Sequence, residues 1–229
     1  MKKIAILQSH YIPWKGYFDL MNMVDEFVLY DDAQYVRRSW HNRNKVKSSQ
    51  GAIWLTIPIN VKGKFRQTIN QTEVGDESWS QLHWKTIKQC YSKAHYFNAY
   101  KDFFKAFYLH NKETNLSSIN AQLIGIVNEI LGIHTKITNS SDYYLTGGKT
   151  DKLLAICEQA SAKIYVSGPA ARNYFDQKSA GRKFVSVEWM DYSGYPEYTQ
   201  LYGNFEHKVT ILDLIFNEGP NARKYLKSF

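Results

Sequence analysis

The chain opens on short apolar runs separated by polar, aromatic-rich stretches, and changes to helical periodicity in its middle. Lys3–Leu7 is a short β-favouring run that predicts a buried first strand. Pro13 restricts Ile12 to extended geometry and suits the first turn of a helix over residues 14–23. A second apolar run, 27–30, ends abruptly at Asp31 and Asp32. Strand, loop, helix and strand in about thirty residues make a βαβ unit, which demands a parallel sheet covered on both faces. From 35 to 51 the apolar periodicity disappears, predicting a long loop with Tyr35, Trp40 and Arg43 as anchors. Residues 53–59 read as a strand with Pro58 near an edge, and 68–74 as another short strand after a turn at Lys62, Gly63 and Lys64.

From Trp79 the spacing of three and four predicts helices around Trp79–Tyr91 and 100–108, then Leu116–Leu131 closed by Gly132. The α/β rhythm resumes with strands at 135–137, 163–166 and 184–187. Helices are expected at 151–160, capped by Thr150, after Ser167, Gly168 and Pro169, and at 209–216. The expected fold is therefore α/β, a mostly parallel, Rossmann-like sheet flanked by helices with a helical block in the middle. One domain over 1–229 is expected, with 79–131 either a helical subdomain or an insertion.

Composition adds an aromatic excess, with 17 Tyr, 12 Phe and 6 Trp, which suits a binding surface as well as a core. A formal charge of +8 points to an anionic partner: a nucleotide, a phosphorylated substrate, nucleic acid or an acidic membrane surface. Cys90 and Cys157 are far apart in helix-like patterns and read as buried hydrophobes, leaving no metal or disulfide framework. The opening apolar stretch is too short for a signal peptide or a membrane span, so a cytoplasmic protein is expected.

Ligands of parallel α/β sheets bind beyond the carboxyl ends of the strands, and three such ends here are polar. The first carries Gln8, Ser9, His10 and Tyr11, the second Asp31, Asp32 and Gln34, and the third Ser167, Gly168 and Arg172. His10 and Lys15, between a strand and a helix, suit a phosphate or proton transfer; local hydrogen bonding by the histidine is the alternative. Trp14 divides between packing and a stacking wall. Asp31 and Asp32 suit a base, a contact to a substrate amine or ribose, a divalent ion, or plain turn chemistry. Arg37, Arg38, His41, Arg43 and Lys45 suit phosphate recognition or a solvated face, and Ser167–Pro169 before Arg172 repeats the anion-site logic. Gly147, Gly148, Lys149 and Thr150 are not a P-loop, because position 143 is Tyr where that loop needs glycine. Pro13, Lys15, Gly16 and Tyr17 echo the histidine-rich loop of nucleotidyltransferases without its histidine pair.

Longer motifs carry a family resemblance. Gln8, Tyr11, Pro13, Trp14, Gly16, Tyr17 and Phe18, then Asp31, Asp32, Gln34 and Tyr35, then Trp40, Asn42, Arg43 and Asn44, and Trp54, Leu55 and Pro58 resemble the WbqC-like proteins of bacteria. So do Tyr165, Ser167, Gly168, Ala171 and Tyr174, then Tyr198 and Gln200, and the segment from Leu212 to Gly219. The match departs at Ser9 and His10, where the family pattern more often has proline after the glutamine. The resemblance implies association with O-antigen and other surface-polysaccharide enzymes, and transfer of an acyl or aminoacyl group to an amino sugar.

The expected function is a transferase forming an amide on a nucleotide-linked amino sugar. His10 and Asp32 are the catalytic candidates. Gln8, Tyr11, Trp14, Lys15, Asp31, Gln34, Trp40, Asn42, Arg43, Ser167, Gly168 and Arg172 are the substrate-binding candidates. The expected partner is an anionic small molecule, with no cofactor or donor named. A nucleic-acid-binding module using the basic loop 37–45 is the alternative.

Overall fold

The computed structural model describes residues 1–173 and 175–229; Tyr174, part of the family motif, lies outside the described residues. Strand β1 (Lys3–Leu7) leads into helix α1 (Lys15–Asn22) and strand β2 (Glu26–Leu29). Strands β3 (Arg43–Ser48) and β4 (Gly51–Thr56) form an antiparallel hairpin. Helices α2 (Trp79–Tyr91), α3 (Phe97–His110) and α4 (Leu116–Leu131) precede β5 (Lys136–Asn139), α5 (Lys149–Gln159), β6 (Ile164–Ser167), α6 (Gln177–Arg182), β7 (Ser186–Trp189) and α7 (Ile211–Glu218).

The main sheet has five parallel strands in the order β5-β2-β1-β6-β7. From β1 the chain steps outward to β2 and β5, then returns to the other side of β1 for β6 and β7. The strand order therefore reverses between β1 and β6. Alternation along β1 explains why both faces are covered. Ala5 joins Phe27, Val166 and the residues of α1 and α4 in one buried cluster, while Ile4 and Ile6 join Val28, Tyr165 and α5 in another. The mid-chain helices share the first cluster: α4 contributes Leu123, Ile124 and Val127, and α2 and α3 contribute Ile87, Phe104 and Tyr108. Asn115 caps α4 through Ser118 N–H, and Gly132 closes it at φ +62°, where a side chain would be strained. Cys90 and Cys157 are free and buried, and burial pushes the Cys157 thiol up to about 12. Among the described residues no helix is long and apolar enough to cross a membrane.

Four local expectations are corrected. The stretch 35–51 is not all loop, since its second half forms β3 against β4, with Lys45 opposite Trp54 and Arg43 opposite Thr56. Residues 68–74 form a single 3-10 turn at Ile69–Gln71 with isolated bridges, because Thr68 O and Ile69 O are taken locally by Gln71 and Thr72 N–H. The segment after Ser167 is a short 3-10 turn, Pro169–Asn173, so it offers no α-helical N-terminus to an anion. Thr150 lies inside α5, which begins beyond Gly148, and accepts a hydrogen bond from Asp176 N–H instead.

Glu26 is the most heavily paired carboxylate of the sheet. It receives Lys2 at 2.7 Å, Lys136 at 3.4 Å, Thr138 at 2.9 Å and the Tyr143 hydroxyl, and is almost fully buried. Burial works against its charge, but the bonds from Lys2, Tyr143 and Thr138 outweigh it and hold the carboxyl down to about 2. A depressed carboxyl stabilises the fold above its unfolded value near 4.5 and loses that contribution as pH falls towards 2. The loss is on the order of 3 kcal/mol. Urea titrations of the protein and of Glu26→Gln should differ above pH 4.5 and converge near pH 2; an unchanged difference across that window contradicts the network.

Candidate functional site

Because β2, β1 and β6 are adjacent and parallel, their carboxyl ends lie on one rim. Asp31, at the end of β2, accepts Ser9 N–H at 2.8 Å and the Ser117 hydroxyl, tying the β1 end to the first turn of α4. One turn on, Asn120 donates to Ser9 Oγ at 3.0 Å and to His41 O at 2.9 Å. Ser117 and Asn120 are three apart, so one helix face serves both loops. Asp32 accepts Asn70 at 3.1 Å and the Ser140 hydroxyl, joining the ends of β2 and β5. Both carboxylates are thus occupied in organising loops.

The β1–α1 loop is pinned from the other side. Tyr11 N–H donates to Trp40 O at 2.9 Å, and Asn44 donates to Tyr11 O at 3.1 Å and Ile12 O at 2.8 Å. Ile12 is held at φ +35°, not extended as Pro13 alone would dictate. A β-branched residue there costs about 1–3 kcal/mol, which the two Asn44 bonds and the buried Ile12 side chain offset. Asn42 is equally structural, exchanging bonds with Ile57 at 2.8 Å in both directions.

A cavity of about 620 Å³ opens beside this loop. His10, Pro13 and Trp14 form one wall, Trp40 and Asn44 a second, and the segment Tyr192–Tyr195 with His207 and Lys208 closes it. Trp14 meets Tyr192 and Tyr195 edge-on at 5.3 and 5.7 Å between ring centroids. Its indole lies across Gly16, where an added Cβ would collide with the ring, so glycine is required for this wall. Gly168 places the β6 end beside the Tyr192 hydroxyl, which sets the cavity against the strand-order reversal.

Between residues 190 and 210 the chain has no helix or strand, yet it is firmly held. Lys15 donates to Pro196 O at 2.9 Å, its ammonium between the rings of Tyr195, Tyr198 and Phe205 at 5.1 to 5.7 Å. Burial lowers the Lys15 amine to about 8, with Asp19, Asp213 and Glu197 opposing the shift. Tyr195 donates to Asp19 at 2.5 Å, Tyr198 to Asp213 at 2.8 Å, and Lys47 to Gln200 at 2.8 Å and Asn204 O at 2.6 Å. Lys15 is therefore a strut of the cavity wall, not a free phosphate ligand.

Outside the mouth, Trp40 packs on Trp54 at 5.4 Å, and the Arg43 guanidinium lies 4.1 Å from the Trp54 ring, with the Lys45 ammonium at 5.1 Å. Both tryptophans are partly exposed. Among the described residues, Arg43, Lys45 and Lys208 enter no ion pair. This rim is cationic, aromatic and open.

His10 faces the cavity with neither ring nitrogen hydrogen-bonded among the described residues. Its ring lies 5.4 Å from Tyr17 and 5.9 Å from His41. Burial first, and His41 second, push His10 down to about 3; burial alone holds His41 near 4. Both imidazoles are neutral above pH 5. His41 Nε2 and Gln8 Oε1 are 3.2 Å apart, so Gln8 supports His41 beneath the site.

Of the sequence candidates, His10, Trp14 and Trp40 line the cavity and Arg43 stands at its mouth. Tyr11 is fully buried, bonded to His83 at 2.8 Å and Tyr108 at 2.7 Å. Ser167 pairs with Tyr165 at 3.1 Å, Arg172 packs on Trp189 at 5.4 Å, and Gln34 points to another surface, donating to Phe65 O at 2.9 Å. Sequence reasoning missed Tyr192, Tyr195, His207, Lys208 and Trp54 as site residues. The aperiodic, aromatic run Tyr192-Ser193-Gly194-Tyr195-Pro196 was the available signal.

These features define a doubly wound α/β protein with an aromatic-walled cavity at the reversal of strand order. The chain belongs to the WbqC-like protein family, whose model matches residues 8–225. It is similar to Uncharacterized protein Rv1507c of Mycobacterium tuberculosis (strain ATCC 25618 / H37Rv), 48% identical over 227 residues, covering 99% of this chain and 98% of that protein. No solved structure gives a significant match.

Proposed function

We propose that this protein is a transferase that forms an amide on the amine of a nucleotide-linked amino sugar, serving bacterial surface-polysaccharide synthesis. The observation that carries this reading is the cavity at the strand-order reversal, walled by Trp14, Trp40 and Tyr195 and rimmed by Lys208, Arg43 and Lys45, which have no carboxylate partner among the described residues. Unpaired cations suit a diphosphate, and exposed tryptophans suit a base or the apolar face of a sugar. In this reading the sugar amine attacks the acyl carbon of an activated donor of the thioester class. His10 takes the proton that the nitrogen loses and returns it to the departing thiolate. Asp31, Asp32, Asn44 and Lys15 hold the walls in place.

Incubation with nucleoside diphosphate amino sugars and acyl or aminoacyl thioesters should give a product heavier than the sugar by the acyl group. No mass increase with any pair, together with no sugar-nucleotide binding, contradicts the proposal. Trp54→Ala removes a stacking surface that is 42% exposed, so the fold should stand while affinity for the nucleotide sugar falls about tenfold by titration calorimetry.

A further inference from the structure

A second polar surface lies apart from this cavity. The loop carrying Val36, Arg37 and Arg38 runs beside the loop carrying Lys62, Lys64, Phe65 and Arg66. The two are joined by Gln34 Nε2 to Phe65 O at 2.9 Å, by Tyr35 N–H to Gln67 O at 3.0 Å, and by the bridge between Gln34 and Thr68. Gln34 thereby holds two loops together.

The surface they share combines charge with exposed apolar tips. Phe65 is 80% and Val36 58% exposed, while all five cations are exposed. The nearest carboxylate partner among the described residues is Glu73, 4.0 Å from Lys64 and itself exposed. Beside Phe65 lies a shallow cleft lined by Gly63, Lys64, Arg66, Gln67 and Gln71. Solvated lysines alone would signify nothing, and neither would one exposed apolar residue, but two exposed apolar tips among five exposed cations, on loops fastened to each other, make one surface of mixed chemistry.

We infer that these two loops are a docking surface for an anionic membrane, with Phe65 and Val36 entering the headgroup boundary and Arg37, Arg38, Lys62, Lys64 and Arg66 facing lipid phosphates. Basic residues around apolar tips are the composition that such binding uses. Val36 favours lipid over nucleic acid, because an aliphatic side chain gains from hydrocarbon and offers no base a stacking face. Pre-joined loops also reduce the entropy lost on docking. The inference does not depend on the transferase reading, since none of these residues lines the cavity at the strand-order reversal.

Vesicle flotation tests it with the full chain, comparing pure phosphatidylcholine with vesicles containing roughly one-third phosphatidylglycerol. The protein should float with the anionic vesicles at low salt, not with the neutral ones, and should be released as salt rises. Phe65→Ser should lower the bound fraction at least about fivefold, and Lys64→Gln with Arg66→Gln by more, at about fivefold per charge. Arg66→Lys should bind like the parent. Equal binding to both vesicle types, no binding to anionic vesicles at low salt, or Phe65→Ser binding like the parent overturns the inference. So does tight oligonucleotide binding that survives in Phe65→Ser while vesicle binding is absent.

Discussion

Asp31→Ala is expected to lower the unfolding free energy by about 3–5 kcal/mol, the largest single loss at the rim. The side chain is 3% exposed and both oxygens are used, one by Ser9 N–H at 2.8 Å and the other by the Ser117 hydroxyl. Truncation leaves the buried Ser9 N–H and the part-buried Ser117 hydroxyl without an acceptor, and the β1–α1 loop keeps only the Asn120 bond to Ser9 Oγ as its tie to α4. Asp31→Asn keeps one acceptor and should lose about half as much. Burial raises the Asp31 carboxyl above its usual value, against the Ser117 and Ser9 bonds. A raised carboxyl contributes stability that is present below its unfolded value and lost as pH rises through its folded value, the opposite sign to Glu26. Asp31→Asn should remove that pH dependence. Denaturant titrations of both variants check this, with Asp32→Ala, half-buried and at the edge of the rim, costing about 1 kcal/mol. An Asp31→Ala loss no larger than that of Asp32→Ala contradicts the described bracing.

His10→Ala is expected to lower turnover by about a hundredfold with little change in KM, because the imidazole is proposed to handle the transferred proton and not to bind the nucleotide. The ring is held neutral by burial and by His41, its folded value lying near 3. Turnover should therefore show no loss attributable to His10 between pH 8 and 5. Steady-state kinetics of the protein and of His10→Ala against pH test both statements. A limb near pH 6.5 that disappears in the variant contradicts the neutral-imidazole role.

The parallel sheet was legible because β1 and β2 each carry an unbroken apolar run, residues 4–7 and 27–29, and Gly132 ends α4 where glycine is needed. β3 was not, because Arg43–Ser48 reads as charges and amides; Asn44 and Lys47 are buried there only because distant groups accept their bonds. The same physics divides the site residues. His10, Trp14 and Trp40 were legible from their place after a strand and from their chemistry. Lys15 looked like a phosphate ligand, and its actual enclosure by Tyr195, Pro196 and Tyr198 depends on contacts some 180 positions away. Lys208 and Trp54 became site residues only through the hairpin and the held 192–208 segment, which periodicity does not reveal.

The most direct measurement is a crystal structure soaked with a nucleoside diphosphate amino sugar. The ligand should lie between Trp14, Trp40 and Tyr195, its diphosphate against Lys208 and Arg43 and its amine within hydrogen-bonding reach of His10. A ligand bound elsewhere, or a cavity left without it at saturating concentration, would contradict the proposed site.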